Sequence, residues 1–226
     1  TPCGTLFPYT TLFRSVMFDF DGTLVDTMHV YAEIAAEQMK AIYKIDINSA
    51  RHLYLETSGL PFFQQLEMIF GSDARNPECA RRYEAQKVEY IKTVSFEEKT
   101  KQILKDLRKR GLSIAITSNN FQEIVERFVE PDRDLFDLVL GFSNLLCKGP
   151  SQFNKVLDNF GVDRRHLLFV GDSLSDARKA LAFGVDFVAI SGTLKPESFH
   201  SLFPTIPVIK NLFELTVLLQ KQLPLN

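Results

Sequence analysis

The chain has no tryptophan and only three cysteines, Cys3, Cys79 and Cys147. Their wide spacing and odd number give neither a zinc-ligand pattern nor a disulfide framework, which leads us to expect a reducing, cytoplasmic setting. There is no long uncharged apolar run, so no membrane-spanning helix is expected. Neither sign of charge dominates: 26 Lys and Arg stand against 28 Asp and Glu, for a net charge of −2 and a pI near 6.1. That balance gives no reason to expect nucleic-acid binding. Internal repeats and low-complexity tracts are also missing. What remains is an ordinary globular composition, 45% hydrophobic over 226 residues. This length suits one domain with an insertion, or two small domains.

The first fifteen residues, TPCGTLFPYTTLFRS, differ in character from the rest. They lack the basic segment and continuous apolar segment of a signal peptide. Their end resembles PYTTLFRS, a translated sequencing-adapter ending. Residues 1–15 are therefore expected to be a non-native or disordered leader, with the native chain beginning near Val16. The alternative is a native tail whose end supplies the start of the first strand.

Beyond the leader, short β-branched and aromatic runs alternate with helical patterns. SVMFDF (15–20), LSIAIT (112–117), DLVLGF (137–142), HLLFVG (166–171) and DFVAIS (186–191) read as strands, with PVIK (207–210) as a short sixth. Continuous apolar runs of this length suit strands covered on both faces. Helical patterns occupy 97–111, 151–161 and 175–184, with Ser175 placed to cap the last. Alternation of this kind predicts an α/β fold, a doubly wound, mostly parallel, Rossmann-like sheet. Residues 27–96 interrupt it with helical patterns only, at 29–43, 62–70 and 78–94. The expected organisation is a core of 16–26 and 97–226 with an all-helical cap at 27–96.

In open parallel sheets, ligands bind beyond the carboxyl ends of the strands. The first strand ends on Asp19, with Asp21 just beyond and Gly22 permitting a tight turn. The second ends on Thr117, Ser118 and Asn119. Lys148 follows the third, and the fourth ends on Gly171 and Asp172, with Asp176 four residues on. If these strands are neighbours, four carboxylates, hydroxyl donors and one lysine converge. Clustered carboxylates repel, and a hard cation such as Mg²⁺ offsets this with oxygen ligands while leaving room for phosphate and water. An aspartate can attack phosphorus. A second carboxyl two residues away can protonate the leaving oxygen and then activate water. Lysine and hydroxyl donors can neutralise the transferring phosphoryl group. A calcium loop is a poor alternative for Asp19 and Asp21, because Gly22 stands too close to the first acid.

DFDGTLVDT and GDSLSD resemble the first and fourth motifs of the haloacid dehalogenase-like hydrolases. Ser118 and Lys148 stand in order as the second and third. A helical insert directly after the first motif resembles the C1-capped subfamily that includes phosphoglycolate phosphatase and β-phosphoglucomutase. The resemblance implies Asp19 as nucleophile and metal ligand, and Asp21 as general acid/base and ligand through its backbone carbonyl. It also implies Asp172 as an Mg²⁺ ligand, Asp176 in support of metal or water, and Ser118, Asn119 and Lys148 around the phosphoryl group. Two departures stand out. The third motif reads Lys148-Gly149-Pro150 where the family often has Lys-Pro. In the second motif, either Thr117 or Ser118 fits the phosphate ligand, and the asparagine that often follows in the family aligns Asn119 so as to favour Ser118. Ser118 or Asn119 is also placed to cap the helix that follows.

In the insert, Ser58, Gly59 and Leu60 of ETSGLPF resemble the cap loop that meets substrate, which is expected to close over the core and exclude water. His29 and His52 read as helix-surface or interface residues rather than catalysts. The expectation is an Mg²⁺-dependent phosphatase acting on small phosphorylated metabolites through an aspartyl-phosphate, as a monomer with no membrane or nucleic-acid partner. A phosphosugar mutase of the same family and a non-catalytic phospho-ligand-binding regulator are the rivals.

Overall fold

The computed structural model describes residues 12–143 and 146–220. Residues 1–11 of the expected leader lie outside the described residues. Its end is built into the fold: Phe13 is buried, Arg14 N–H donates to the His166 carbonyl at 2.9 Å, and Ser15 opens the first strand.

The chain divides into two compact units. The first contains the sheet: β1 (Ser15–Asp19), β2 (Ser113–Phe121), β3 (Leu138–Phe142), β4 (Leu167–Gly171), β5 (Asp186–Ile190) and β6 (Val208–Ile209). Every pairing is parallel and the order is β3-β2-β1-β4-β5-β6. The order reverses between β1 and β4, which makes the ends of those two strands the place where such sheets bind ligands. The strands are buried because helices flank both faces, which is why they read as continuous apolar runs.

Pairing register determines which side chains share a face. Met17 lies beside Ala115 and Phe169, and Phe169 beside Phe187. That row belongs to one buried cluster with Phe153 and Val156 of α7 (Pro150–Phe160) and Ala177 and Ala180 of α8 (Leu174–Phe183). Side chains alternate along a strand, so Asp19, two residues past Met17, points to this same face. The sequence therefore aims its terminal acid at the side where α7 and α8 begin.

Helix starts follow local chemistry. Ser173, not Ser175, caps α8: its backbone is extended (φ −118°, ψ 153°) and its Oγ accepts from Asp176 N–H at 3.1 Å. The helix begins one residue before Ser175, which leaves Ser175 inside the first turn, where its backbone is already helical. Neither Ser118 nor Asn119 caps α6 (Gln122–Val129). Phe121 stands at that position without a side-chain cap, because β2 runs on to Phe121.

The extension of β2 is irregular. Thr117 pairs with Leu140, but Phe121 pairs with Phe142, so Ser118, Asn119 and Asn120 face only Gly141 on β3. A Cβ on Gly141 would lie 2.6 Å from Gln122 Cα and 2.8 Å from the Asn120 carbonyl oxygen. Only glycine lets these backbones approach so closely.

The second unit, Asp26–Ser95, is all helical: α1 (Met28–Tyr43), α2 (Ile47–Glu56), α3 (Phe62–Phe70) and α4 (Asn76–Ile91). Tyr31, Ala32, Ala35, Ala36 and Met39 form the buried stripe of α1, and Ala50, Tyr54, Leu66 and Tyr83 join them in one core. The hydroxyls of Tyr54 and Tyr83 meet at 2.7 Å, so both buried polar tips are paired. The helix α2 was not among the expected elements; Asp46 starts it by accepting from Ser49 N–H at 2.9 Å. Among the described residues, no helix is long and apolar enough to cross a membrane.

Replacing Gly141 by alanine forces backbone against backbone. The Gly141→Ala protein should lose about 1–3 kcal/mol of stability, seen as a lower urea midpoint at unchanged slope.

Candidate active site

The tight turn after β1 forms first. Gly22 adopts φ 75°, a conformation that favours glycine, and its N–H donates to the Val25 carbonyl at 2.8 Å. Phe20 turns its ring into the core while its N–H donates to Asp19 Oδ1 at 2.7 Å. The aspartate is thus tethered by its own following peptide.

Lys148, just before α7, reaches the same oxygen: Nζ stands 2.7 Å from Asp19 Oδ1 and 2.7 Å from Asp176 Oδ1. All three side chains are buried, the lysine at 3% exposure. Asp176 sits in the first turn of α8, where the helix dipole favours a carboxylate, and Ser173 Oγ donates to its Oδ2 at 2.6 Å. Gly171 makes room for it, since a Cβ there would lie 2.9 Å from Asp176 Oδ2. Asp172, at the end of β4, is buried and accepts from the Thr193 hydroxyl beyond β5.

Asp19, Asp172 and Asp176 each offer a carboxylate oxygen, all within 4.8 Å of one another. The electrostatics show the strain of this arrangement. Burial pushes the Asp19 carboxyl well above its usual range; Lys148 pulls it down, while Asp176 and Asp172 push it up. Burial and the neighbouring Asp176 push Asp172 up to about 7, against the hydrogen bond from Thr193. Burial opposes the Lys148 ammonium, but Asp176 and Asp19 outweigh it and hold the group above lysine's ordinary value. With all three acids ionised, Lys148 would offset one negative charge and a divalent cation the other two, so the donor set fits a hard metal with oxygen ligands.

Asp21 is not among the clustered carboxylates. Its Oδ2 accepts from Asn120 Nδ2 at 2.8 Å, and Asn120 N–H donates to Ser118 Oγ at 3.0 Å. Ser118 is buried and Asn119 half-buried on the irregular end of β2. The hydroxyl of Thr117 is engaged by Gln152 Oε1 of α7. That bond occupies Thr117 and leaves Ser118 as the hydroxyl associated with the Asn120–Asp21 pair. The expected residues of the first unit therefore meet around the ends of β1, β2 and β4. Asn120, Gln152 and Thr193 were not anticipated. The strand-end rule reaches Thr193, two residues past the expected fifth strand, and a lone glutamine between Pro150 and Phe153 on an apolar helix face was a signal for Gln152.

The expected cap-loop residues belong to the second unit. Ser58 is buried, and Gly59 adopts φ 82° between α2 and α3. Gln65 staples this turn: its Oε1 accepts from Thr57 Oγ1 at 2.9 Å and its Nε2 donates to the Leu60 carbonyl at 2.9 Å.

Gly149 explains the departure in the third motif. Its backbone (φ 131°, ψ −145°) is closed to proline, whose ring fixes φ near −65°. Pro150 instead starts α7, where a missing N–H costs nothing.

Residues 16–190 match the family model of the haloacid dehalogenase-like hydrolases. A phosphoglycolate phosphatase of Pseudomonas putida is 29% identical over 205 residues, covering 82% of this chain and 72% of the relative. One from Pseudomonas savastanoi is 31% identical, covering 79% and 69%. Among solved structures, a haloacid dehalogenase-like family hydrolase of Streptococcus pneumoniae superposes with a TM-score of 0.74 at 17% identity, covering 91% of this chain and 97% of that one. A β-phosphoglucomutase of Clostridium difficile gives 0.71 at 15% identity, covering 93% and 97%. These two likenesses speak to the fold. Taken with the acids at the ends of β1 and β4 and the lysine between them, the family match is decisive: the chain belongs to the haloacid dehalogenase-like hydrolases.

Proposed function

We propose that this chain is an Mg²⁺-dependent phosphatase of small phosphorylated metabolites, working through an aspartyl-phosphate on Asp19. The observation that carries the reading is Lys148, buried between Asp19 and Asp176 at 2.7 Å from each. Burial alone would leave Asp19 protonated and a poor nucleophile; the ammonium favours its charged form. Asp19 then attacks phosphorus, and the bond to the leaving alkoxide oxygen breaks. Asp21 gives that oxygen its proton, then takes one from the water that hydrolyses the acyl phosphate. Asn120 holds Asp21 for both transfers. Ser118, Asn119 and Lys148 surround the phosphoryl oxygens and neutralise their charge.

Asp19, Asp172 and the backbone carbonyl of Asp21 would hold Mg²⁺, with Asp176 in support. Bound there, the cation would supply charge neutralisation for the phosphoryl group. The curated relatives named phosphoglycolate phosphatases make 2-phosphoglycolate the first substrate to assay. The helical insert, Asp26–Ser95, contributes substrate choice through Ser58, Gly59 and Leu60.

With Mg²⁺, the purified protein should release phosphate from p-nitrophenyl phosphate and from 2-phosphoglycolate. Asp19→Asn should reduce both to background, and Asp21→Asn should cost about 10²–10⁴ in turnover of an alkyl phosphate. Retained activity in Asp19→Asn would end this reading. Metal removal gives a second check. Mg²⁺ at 100 times its Kd should add about 2.7 kcal/mol to the stability of the natural chain. The metal-free Asp172→Asn protein should melt no lower than the metal-free parent, because one of three repelling charges is gone. It should gain little from Mg²⁺, as thermal melts with and without the ion would show.

A further inference from the structure

We propose that Gln152 is a positioning residue for Asp21, acting through the irregular end of β2. The inference rests on the phosphatase reading and deepens it. Gln152 lies in the first turn of α7 and is completely buried, although it is an uncharged polar residue facing an apolar core. Its amide is fully engaged. Oε1 accepts from the Thr117 hydroxyl; Nε2 donates to the Gly141 carbonyl at 2.9 Å and to the Ser118 carbonyl at 3.3 Å. One side chain therefore ties α7 to β2 and β3 at the point where their register slips.

The slipped segment departs from regular pairing. Residues 118–120 face a single residue of β3, and extra residues of this kind disrupt the ladder locally. On the far side, Gln122 Oε1 accepts from Gly141 N–H, and Gln122 Nε2 donates to the Val139 carbonyl at 3.0 Å. Two glutamine amides thus brace the same slip. Gly141 lets Asn120 and Gln122 settle against it, since a Cβ would meet both backbones at under 3 Å.

Asn120 is the output of this brace. Its N–H is fixed by Ser118 Oγ at 3.0 Å, and its side chain reaches Asp21 Oδ2 at 2.8 Å. The route from Gln152 to the acid that protonates the leaving group is therefore continuous: Gln152 to the Ser118 carbonyl, Ser118 to Asn120, and Asn120 to Asp21. Gln152 hydrogen-bonds to neither Asp19 nor Asp21. Because it braces Ser118, which also faces the phosphoryl group, a loss common to both substrates can accompany the loss of proton delivery, and only the latter depends on the leaving group.

That prediction has its own readout. A leaving phenolate such as p-nitrophenolate needs little protonation, whereas an alkoxide needs it fully. kcat/KM, which reports the first phosphoryl transfer, should be compared for p-nitrophenyl phosphate and a simple alkyl phosphate in the full chain. In Gln152→Leu the alkyl-to-aryl ratio of kcat/KM should fall about 10-fold or more, within the range general acids supply. Asn120→Ala should show the same signature, and it stands in should Gln152→Leu fail to fold. The double variant should be no worse than the more impaired single one, because both act on one path. Equal losses on the two substrates in a folded variant would overturn the proposal, since a purely structural role lowers both alike. An unchanged ratio in Asn120→Ala would overturn it too. Failure of the natural chain to hydrolyse either ester is a different result: it overturns the phosphatase reading, and this proposal falls with it.

Discussion

Three buried carboxylates crowd together with one buried lysine among them, and the first unit is arranged to make that tolerable. Isolated buried charges are too costly to keep, and like charges at this spacing are worse. Lys148 satisfies two of the acids directly. The third, Asp172, is left with a hydroxyl from Thr193 and a strong tendency to hold its proton. Each further detail of the site answers the same problem. The Phe20 peptide tethers Asp19, the Ser173 hydroxyl steadies Asp176, and glycine at 171 removes the one Cβ that would block the approach. The result is a polar nest rich in carboxylates that a divalent cation would suit, set at the end of a sheet otherwise packed with phenylalanine, valine and leucine.

Alternation along β1 links the apolar core to that nest. Met17 and Asp19 point to one face, so the packing that buries Met17 against α7 and α8 also delivers Lys148 and Asp176 to Asp19. A slip of one residue in β1 would turn Met17 out of its cluster and Asp19 away from its lysine together. Fold stability and site geometry are in this sense a single constraint.

Much of this was legible in the sequence because strand ends and strand interiors follow opposite rules. The first, second and fourth strands run apolar and turn polar towards their ends, which pointed to Asp19, Ser118 and Asp172 as candidates. Lys148 was singled out by its place after the third strand, and Asp176 by its spacing from Asp172. The residues that escaped notice act through side-chain amides and hydroxyls at long range. Asn120 was not singled out in the sequence, and it meets Asp21 at the slip in β2. Gln152 sits 35 residues from its partner Thr117, a separation at which sequence carries no periodic signal. The helix α2 was missed because half of its face is polar, with Asn48, Ser49, Arg51 and His52 diluting the apolar spacing of Ala50 and Tyr54. Ser175 was taken for a cap because it opens the helical pattern at 175–184, whereas the helix starts one residue earlier, at Leu174, with Ser173 as its cap.

The central strand of the sheet is also the first to leave the ribosome. β1 ends at residue 19, yet its two neighbours begin at Ser113 and Leu167. Between them comes a whole helical unit whose contacts are local and quick to form. β1 must therefore wait, greasy and unpaired, while 26–95 are made, and it finds its second partner only when residue 171 has emerged. The order of synthesis makes the sheet late and the helices early. During synthesis, SVMFD is the segment in most need of shelter from other chains.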